Sequence, residues 1–329
     1  MNNKFGIFTY PSINSTFNLG DYVQGIASKQ HLTSNNEVVF INRDELNVCN
    51  ESLSIIFNGW FTHFPENWPP SETINPLFIS FHLNSTAYKI LNNPNVIKYF
   101  KRYSPIGCRD YSTKKKLEEF NIDCYYSGCL TTTLGKSYKN ENPQQNKNIY
   151  FVDVLFNLDY KESIFRNLKG FIIDGLLRFK IFKLGKKKKI LNSIFSTDIT
   201  DNAEYLTHIL SDQIKEKDRF KLADEYLNKY SKAKLVVTSR IHVALPCLAM
   251  GTPVIFLNGG FTHMMDHTRF DGITHLLNKI DIDVVGKTSA NFDVKLPIGI
   301  EDLIVNPQKP IDIITNLESK AKKFINENS

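Results

Sequence analysis

The chain has 329 residues, 42% of them apolar, with five cysteines and a net charge of +6. That length favours two domains over one, and the apolar share excludes a disordered chain. The cysteines (Cys49, Cys108, Cys124, Cys129, Cys247) are odd in number and lack C-x-x-C spacing, so they read as reduced thiols and not as a disulfide frame or zinc site. No apolar run reaches the roughly 20 residues of a membrane span, and the opening MNNKFGIFTYPSIN lacks the charged-then-apolar order of a signal peptide. The expectation is a soluble, cytoplasmic protein.

In chain order, short apolar runs alternate with helical patterns. Phe5 to Tyr10 reads as the first strand, Asn18-Leu19-Gly20-Asp21 as a turn, and Tyr22 to Leu32 as a helix. Val38 to Ile41, Ser54 to Phe57 and Leu77 to Phe81 read as strands from their β-branched and aromatic content. Helices are expected over 93–101 and 112–120, with short strands at Ile106 to Cys108 and Cys124 to Tyr126. This alternation argues for a parallel sheet covered by helices. Around 135–147 the chain turns polar and aperiodic (GKSYKNENPQQNK), the best domain boundary. A second α/β unit then runs through a strand at 149–154, helices near 201–216 and 220–231, and strands at Leu235 to Thr238 and Val254 to Leu257. The expected architecture is two Rossmann-like domains facing a cleft, over 1–140 and 148–310, with a helix at 311–329 packing back on the first domain.

The positive charge is concentrated. Residues 160–189 hold ten Lys/Arg against Glu162 and Asp174, so this segment carries +8 and the rest of the chain about −2. Apolar residues interleave with the charges, a composition suited to an anionic membrane surface, where each basic residue contributes about 1 kcal/mol. A solvated basic face explains it equally well. Nucleic acid is not expected, because no recognisable nucleic-acid motif accompanies the patch.

The stretch KLVVTSRIHVALPCLAMGTPVIFLN (234–258) is the most informative. It reads as strand, turn, helix and strand, with Ser239, Arg240 and His242 at the handover. In open α/β sheets ligands bind at the carboxyl ends of strands, and a helix N-terminus there attracts anions. The chain has no G-x-x-x-x-G-K-[ST], no G-x-G-x-x-G after the first strand, no H-E-x-x-H and no Cys/His metal spacing, which argues against nucleotide hydrolysis, dinucleotide redox chemistry and zinc catalysis. Asn58-Gly59-Trp60-Phe61-Thr62-His63 and Asn258-Gly259-Gly260-Phe261-Thr262-His263 agree at five of six positions. If both loops end strands, Asn58, His63, Asn258 and His263 are candidates for binding a hydroxylated ligand; coincidence between two Gly-containing loops is the alternative.

Taken in order, Asn18-Leu19-Gly20-Asp21 with Gln24 and Ala27, Pro105-Ile106-Gly107-Cys108-Arg109-Asp110, Tyr126-Ser127-Gly128-Cys129-Leu130-Thr131 and Val236-Val237-Thr238-Ser239-Arg240-Ile241-His242 followed by Ala249-Met250-Gly251-Thr252-Pro253-Val254 resemble the polysaccharide pyruvyl transferase family. The resemblance implies a two-domain fold like that of the GT-B glycosyltransferases. It also implies transfer of a pyruvyl group from phosphoenolpyruvate to sugar hydroxyls of a cell-surface polysaccharide or its lipid-linked precursor, usually as a ketal. The expected active-site groups are Arg240 and His242, with Arg109 a donor-binding partner from the other domain.

The residue types suit that chemistry. Phosphoenolpyruvate carries a carboxylate and a phosphate, which guanidinium forks grip. A near-neutral histidine can protonate the vinyl carbon and later relieve the attacking hydroxyl of its proton. Phosphoenolpyruvate enters as co-substrate, and no cofactor or metal is expected. Ser239 and Arg269 are further donor contacts. Asn18, Gly20 and Asp21 are cleft residues or simply a helix cap. Lipid-linked acceptors would give the basic 160–189 segment a use at the inner face of the membrane. The rival readings are a GT-B glycosyltransferase using a nucleotide sugar, disfavoured by the absence of a carboxylate just after His242, and a non-catalytic relative that binds polysaccharide or membrane.

Overall fold

The computed structural model describes residues 4–62, 64–156, 187–259, 268–283 and 285–329. The N-terminal part runs β1 (Lys4–Thr9), β2 (Thr16–Asn18), α1 (Leu19–Lys29), β3 (Glu37–Asn42), β4 (Leu53–Gly59), β5 (Ile74–Phe81), α2 (Pro94–Arg102), β6 (Ile106–Cys108), α3 (Tyr111–Glu118) and β7 (Cys124–Tyr126). It continues with β8 (Asn148–Val152), α4 (Thr197–Asn202), β9 (Ala203–Leu206), β10 (Ile209–Ser211), α5 (Glu216–Tyr230), β11 (Ala233–Thr238), α6 (Ile241–Met250), β12 (Val254–Gly259), β13 (Asn278–Ile282), β14 (Thr288–Ala290) and α7 (Ile311–Glu327).

Two six-stranded sheets result. The first, ordered β3-β1-β4-β5-β6-β7, is parallel throughout; the second, ordered β14-β13-β12-β11-β8-β9, is parallel except for β14. In the second sheet the chain passes from β8 to β9 on one side, then returns to β11 on the other. The strand order therefore reverses between β8 and β11, the position where α/β sheets bind ligands. The same reversal occurs between β1 and β4 in the first sheet.

Strand composition explains why both faces of the second sheet are covered. Side chains alternate between faces, and here both alternating sets are apolar. Tyr150, Val152, Val236, Val254 and Phe256 join a core that also contains Phe5, Phe8, Phe57 and Phe78 of the first sheet. Ile149, Phe151, Leu235, Val237, Ile255 and Leu257 form a second core on the opposite face. Near-continuous apolar strands of this kind are the mark of a sheet buried on both sides.

The two units are thus joined by a continuous core, and the cleft is confined to the carboxyl ends of the strands. Helix α6, buried along almost its whole length, lies at this junction. It packs against the 3-10 helix Leu130–Lys136, α1, β11 and β12. A Cβ on Gly135 would stand 2.2 Å from the Ala249 carbonyl oxygen, so only glycine permits that approach. A two-stranded antiparallel ribbon of β2 and β10 ties the units together again. Helix α7 packs on the same 3-10 helix and on β5.

One expected element is corrected. The helix anticipated near 201–216 is instead the end of α4 followed by β9 and β10. Ala203–Leu206 pairs in parallel with Ile149–Val152, and Ile209–Ser211 pairs with β2. Tertiary pairing at a sheet edge overrides the weak local helical pattern. Most of the basic 160–189 segment lies outside the described residues; Lys187 to Lys189 open a helical stretch over 187–194.

Candidate active site

Sequence order scatters the polar groups of the cleft, and the strand ends collect them. His82 directly follows β5, Arg109 follows β6, Asp153 follows β8, and Arg240 follows β11. His242 stands in the first turn of α6, and His208 lies between β9 and β10. Asn18, Gly20, Arg109, Phe156, His208, Ser239, Arg240, His242, Arg269 and Phe270 all line one hollow.

The first wall is the N-terminus of α1. Asn18 caps it, its side-chain oxygen accepting from the Gly20 N–H at 3.1 Å, an N-cap bond that satisfies one otherwise orphan donor. The Leu19 N–H donates to the His208 carbonyl at 2.7 Å, so the second unit helps to cap a helix of the first. Gly20 lies against His242: a Cβ there would meet His242 Cβ at 3.3 Å and Nδ1 at 3.4 Å.

The opposite wall is built across the switch point. Asp153 has φ 45°, in the left-handed region that aspartate tolerates better than most residues. Its Oδ2 accepts from Arg240 Nε at 2.9 Å and from the His208 backbone N–H at 2.9 Å. The Arg240 guanidinium carbon lies 3.9 Å from the Phe156 ring centroid, a cation–π contact. A carboxylate on one edge and a ring on the face fix the guanidinium plane. Among the described residues, no acceptor bonds its two terminal nitrogens.

Arg109 supplies a second such group from the first unit. It is 4% exposed, its Nε has no hydrogen-bond partner among the described residues, and its contact with Asp110 is a 3.6 Å ion pair. A buried guanidinium without hydrogen bonds is costly, and in native structures it calls for an explanation. An anionic ligand provides one. Arg43, also 4% exposed, adds charge 3.6 Å from Asp21.

Three histidines complete the cluster. Burial, followed by Arg109, Arg269, His208 and His82, holds His242 well below the usual histidine range, and its Nε2 is buried without a partner among the described residues. His82 is pushed down to about 4, first by burial and then by Arg109. Its Nδ1 lies 2.6 Å from Asp110 Oδ2, while Asp110 Oδ1 accepts from the Thr113 N–H at 2.8 Å. Burial pulls Asp110 upward, but His82, Arg109 and the Thr113 side chain outweigh it and keep the carboxyl below its ordinary range. Burial raises Asp21 above its ordinary value against the opposing pull of Arg43, Arg269, Arg240 and Arg109. Burial first, and the neighbouring arginines second, thus hold the imidazoles of the site neutral.

The open volume is about 20 Å³, close to that of one water. A shallower hollow of about 360 Å³ adjoins it at Phe270, lined also by Ser112, Asn258, Thr268, Asp271 and Thr274.

The structure brings Arg109, Arg240, His242, Arg269, Asn18, Gly20 and Asp21 together, but it reassigns two expected contacts. The Ser239 hydroxyl donates to the Leu257 carbonyl at 2.8 Å and accepts from the Leu155 N–H at 2.9 Å. It anchors the loop carrying Asp153 and Phe156 and is committed to the scaffold. Asn58 is 2% exposed; its amide donates to the Gln24 carbonyl at 2.9 Å and its oxygen accepts from Ser28 at 2.7 Å, which pins β4 to α1. Asn258 donates to Asp281 on the neighbouring strand while lining the shallower hollow. His63 and His263 lie outside the described residues.

Sequence reasoning missed Asp153, Phe156, His82, His208 and Arg43. For His82 a signal existed, because it ends the strand Leu77 to Phe81. Asp153 was hidden inside the strand expected over 149–154, and His208 inside an expected helix.

No curated protein matches the chain significantly. Among solved structures, a functionally uncharacterized protein from Klebsiella pneumoniae subsp. pneumoniae aligns at 15% identity with a TM-score of 0.40, covering 82% of this chain and 87% of that one. Residues 18–260, which hold most of the cleft from the Asn18 cap through the Arg240 and His242 block, match the family model for polysaccharide pyruvyl transferase, and the chain belongs to that family of enzymes.

Proposed function

We propose that this enzyme transfers the pyruvyl group of phosphoenolpyruvate to sugar hydroxyls of a cell-surface polysaccharide or its lipid-linked precursor, forming a ketal. The observation that carries this reading is the pair Arg109 and Arg240. They come from opposite sheets and converge on His242, with donor groups that no described residue uses. Two guanidinium groups suit a molecule with a phosphate and a carboxylate on one carbon. The two facing α/β units, with the site at their strand ends, support a GT-B-like arrangement.

Binding and proton transfer are coupled. Burial, and then the positive charge of Arg109 and Arg269, keep His242 neutral in the absence of a counter-charge. The bound donor's negative charge offsets them, raises the affinity of His242 for a proton, and makes it an acid only when there is a substrate to protonate. Proton transfer from His242 to the vinyl CH₂ gives a methyl group and an oxocarbenium-like carbon. A sugar hydroxyl forms the first new C–O bond and loses its proton to the neutral imidazole. Cleavage of the C–O bond to phosphate releases inorganic phosphate. A neighbouring hydroxyl then forms the second C–O bond and closes the ketal, its proton passing to the released phosphate. Asp153 and Phe156 hold Arg240 in its plane, and Gly20 leaves room for the imidazole.

The hollow containing Asn258 and Asp271 is the proposed acceptor side, since it is polar and adjoins the cleft at Phe270. We also propose that the basic 160–189 segment brings the enzyme to an anionic membrane carrying lipid-linked acceptors, which places it at the inner face of that membrane. The direct test measures phosphate release from phosphoenolpyruvate with galactose, mannose, glucose and N-acetylhexosamine acceptors, for wild type and His242→Ala. Acceptor-dependent release that the substitution abolishes is expected. Stabilisation of the fold by nucleotide sugars and not by phosphoenolpyruvate would overturn the reading in favour of glycosyl transfer.

A further inference from the structure

We infer that His208 is a further anion-binding group of this cleft, a neutral imidazole that donates its Nδ1–H to a phosphate or carboxylate oxygen of the bound donor. The inference rests on the proposed donor chemistry but is carried by separate observations. His208 is fully buried yet lines the hollow beside Arg240, His242 and Arg109. Its Nε2 is 2.8 Å from the Tyr230 hydroxyl, and its Nδ1 has no partner among the described residues.

Hydrogen-bond accounting fixes where the ring proton sits. Tyr230 is fully buried, and His208 Nε2 is its hydroxyl's one partner among the described residues. If Nε2 carried the proton and donated to the phenol oxygen, the phenol O–H and the bare Nδ1 would both be stranded. If the phenol donates to a bare Nε2, only the Nδ1–H is left unpaired. Each stranded buried group carries a desolvation cost, so the second arrangement is favoured. Burial keeps the Tyr230 phenol protonated by raising it well above its ordinary value. Burial and then Arg240 push His208 down to about 3, against Asp153, so the ring stays neutral in the working range.

His82 gives the contrast. Its ring partner is Asp110, which when ionised only accepts, so His82 carries its proton on Nδ1 and leaves a buried bare Nε2 without a partner among the described residues. Both buried histidines thus carry the proton on Nδ1, but because one faces a carboxylate and the other a phenol, the atom left unpartnered is a bare acceptor in His82 and an N–H donor in His208. The unpaired Nδ1–H of His208 is a fixed donor at the anion site. It requires no reorganisation when the ligand arrives, the condition under which such donors stabilise developing charge best.

The backbone of His208 is fixed from both sides, its N–H by Asp153 at 2.9 Å and its carbonyl by Leu19 at 2.7 Å. Its ring lies nearly coplanar with that of Tyr230, edge to edge along the hydrogen bond, with centroids 6.1 Å apart and planes at 21°. A side chain held in this way serves orientation, and Nδ1 is the one polar atom left over in a residue that lines the cleft.

The test pairs ring-nitrogen NMR on histidine-labelled enzyme with calorimetric titration by phosphoenolpyruvate, inorganic phosphate and pyruvate. Wild type is expected to show a protonated Nδ1 and a bare Nε2 on His208 near neutral pH, with phosphoenolpyruvate shifting the Nδ1 signal. His208→Asn, whose amide N–H can stand near the Nδ1 position, should keep phosphoenolpyruvate affinity within about threefold. His208→Phe should lose roughly 10- to 100-fold, the worth of one hydrogen bond to a charged group. Whichever of phosphate and pyruvate weakens in parallel identifies the oxyanion held. Tyr230→Phe, which keeps the packing ring, should give a mixture of tautomers and a smaller loss.

A bare Nδ1 in wild type, or His208→Phe binding as tightly as wild type, overturns the inference. Wild type that binds inorganic phosphate but not phosphoenolpyruvate overturns the donor assignment alone, and the same His208 comparison with inorganic phosphate then decides this inference. Binding of none of the three probes overturns both.

Discussion

Arg240→Lys separates guanidinium geometry from mere charge. The substitution keeps the positive charge but removes the fork. The lost groups are the Nε bond to Asp153 at 2.9 Å and the stack on Phe156 at 3.9 Å. A hydrogen bond to a charged group contributes about 1.5–3 kcal/mol, and a partly desolvated cation–π contact about 0.5–2 kcal/mol. Lysine recovers part of the first with its ammonium group but cannot reproduce a bidentate grip on phosphate or carboxylate. A net loss of about 3 kcal/mol in transition-state binding follows, which is roughly 150-fold in kcat/KM. Because the bound anion is gripped in ground state and transition state alike, much of the loss should appear in KM. The assay is steady-state phosphate release from phosphoenolpyruvate, together with calorimetric donor affinity and thermal unfolding to confirm an intact fold. A folded Arg240→Lys enzyme within about threefold of wild type in kcat/KM would refute the claim that Asp153 and Phe156 orient a donor-binding fork.

Three other perturbations have defined outcomes. Gly20→Ala improves helix propensity by up to about 1 kcal/mol, yet its Cβ would meet His242 Cβ at 3.3 Å and Asn18 Oδ1 at 3.2 Å. Thermal stability should hold or rise while turnover falls at least about tenfold; unchanged turnover would remove the imidazole-clearance argument. His82 is neutral in the fold, its pKa lowered from 6.5 to about 4, so between those values the unfolded chain binds more protons and stability falls with falling pH. The full loss is roughly 3 kcal/mol at pH 4 and below. Denaturant midpoints followed down to about pH 5 should decline less steeply in His82→Gln, and an equal slope would show that His82 is not the group concerned. Replacing Lys186 to Lys189 by glutamine should abolish binding to anionic vesicles in a sedimentation assay while leaving neutral vesicles unaffected. Undiminished binding would rule out these four lysines as the dock.

What was legible in the sequence follows from the range of the forces involved. Strand runs such as Ser54 to Phe57 and Val254 to Leu257, and the helix over 220–231, stand out because burial of both sheet faces leaves a local apolar signature. The Ser239-Arg240-Ile241-His242 turn was legible because a strand-to-helix handover exposes its residues at a carboxyl end, wherever that sheet lies. Family motifs marked Arg109 and the Asn18 cap in the same local way.

The helix expected near 201–216 failed because its residues are claimed by partners remote in sequence, Ile149–Val152 and Thr16–Asn18. The same failure hid His208. Asp153 was masked by its position just past a strand, where only a left-handed backbone turns its carboxylate toward Arg240. Ser239 and Asn58 carried the right chemistry for ligand contact, but neighbours from other elements claimed their hydrogen bonds. The sequence by itself determined the alternation of strands and helices, the family, and the two arginines and histidine of the motif blocks. The tertiary structure alone decided which polar atoms are spent on the scaffold and which stay unpaired at the cleft, because hydrogen bonding is settled by neighbours in space.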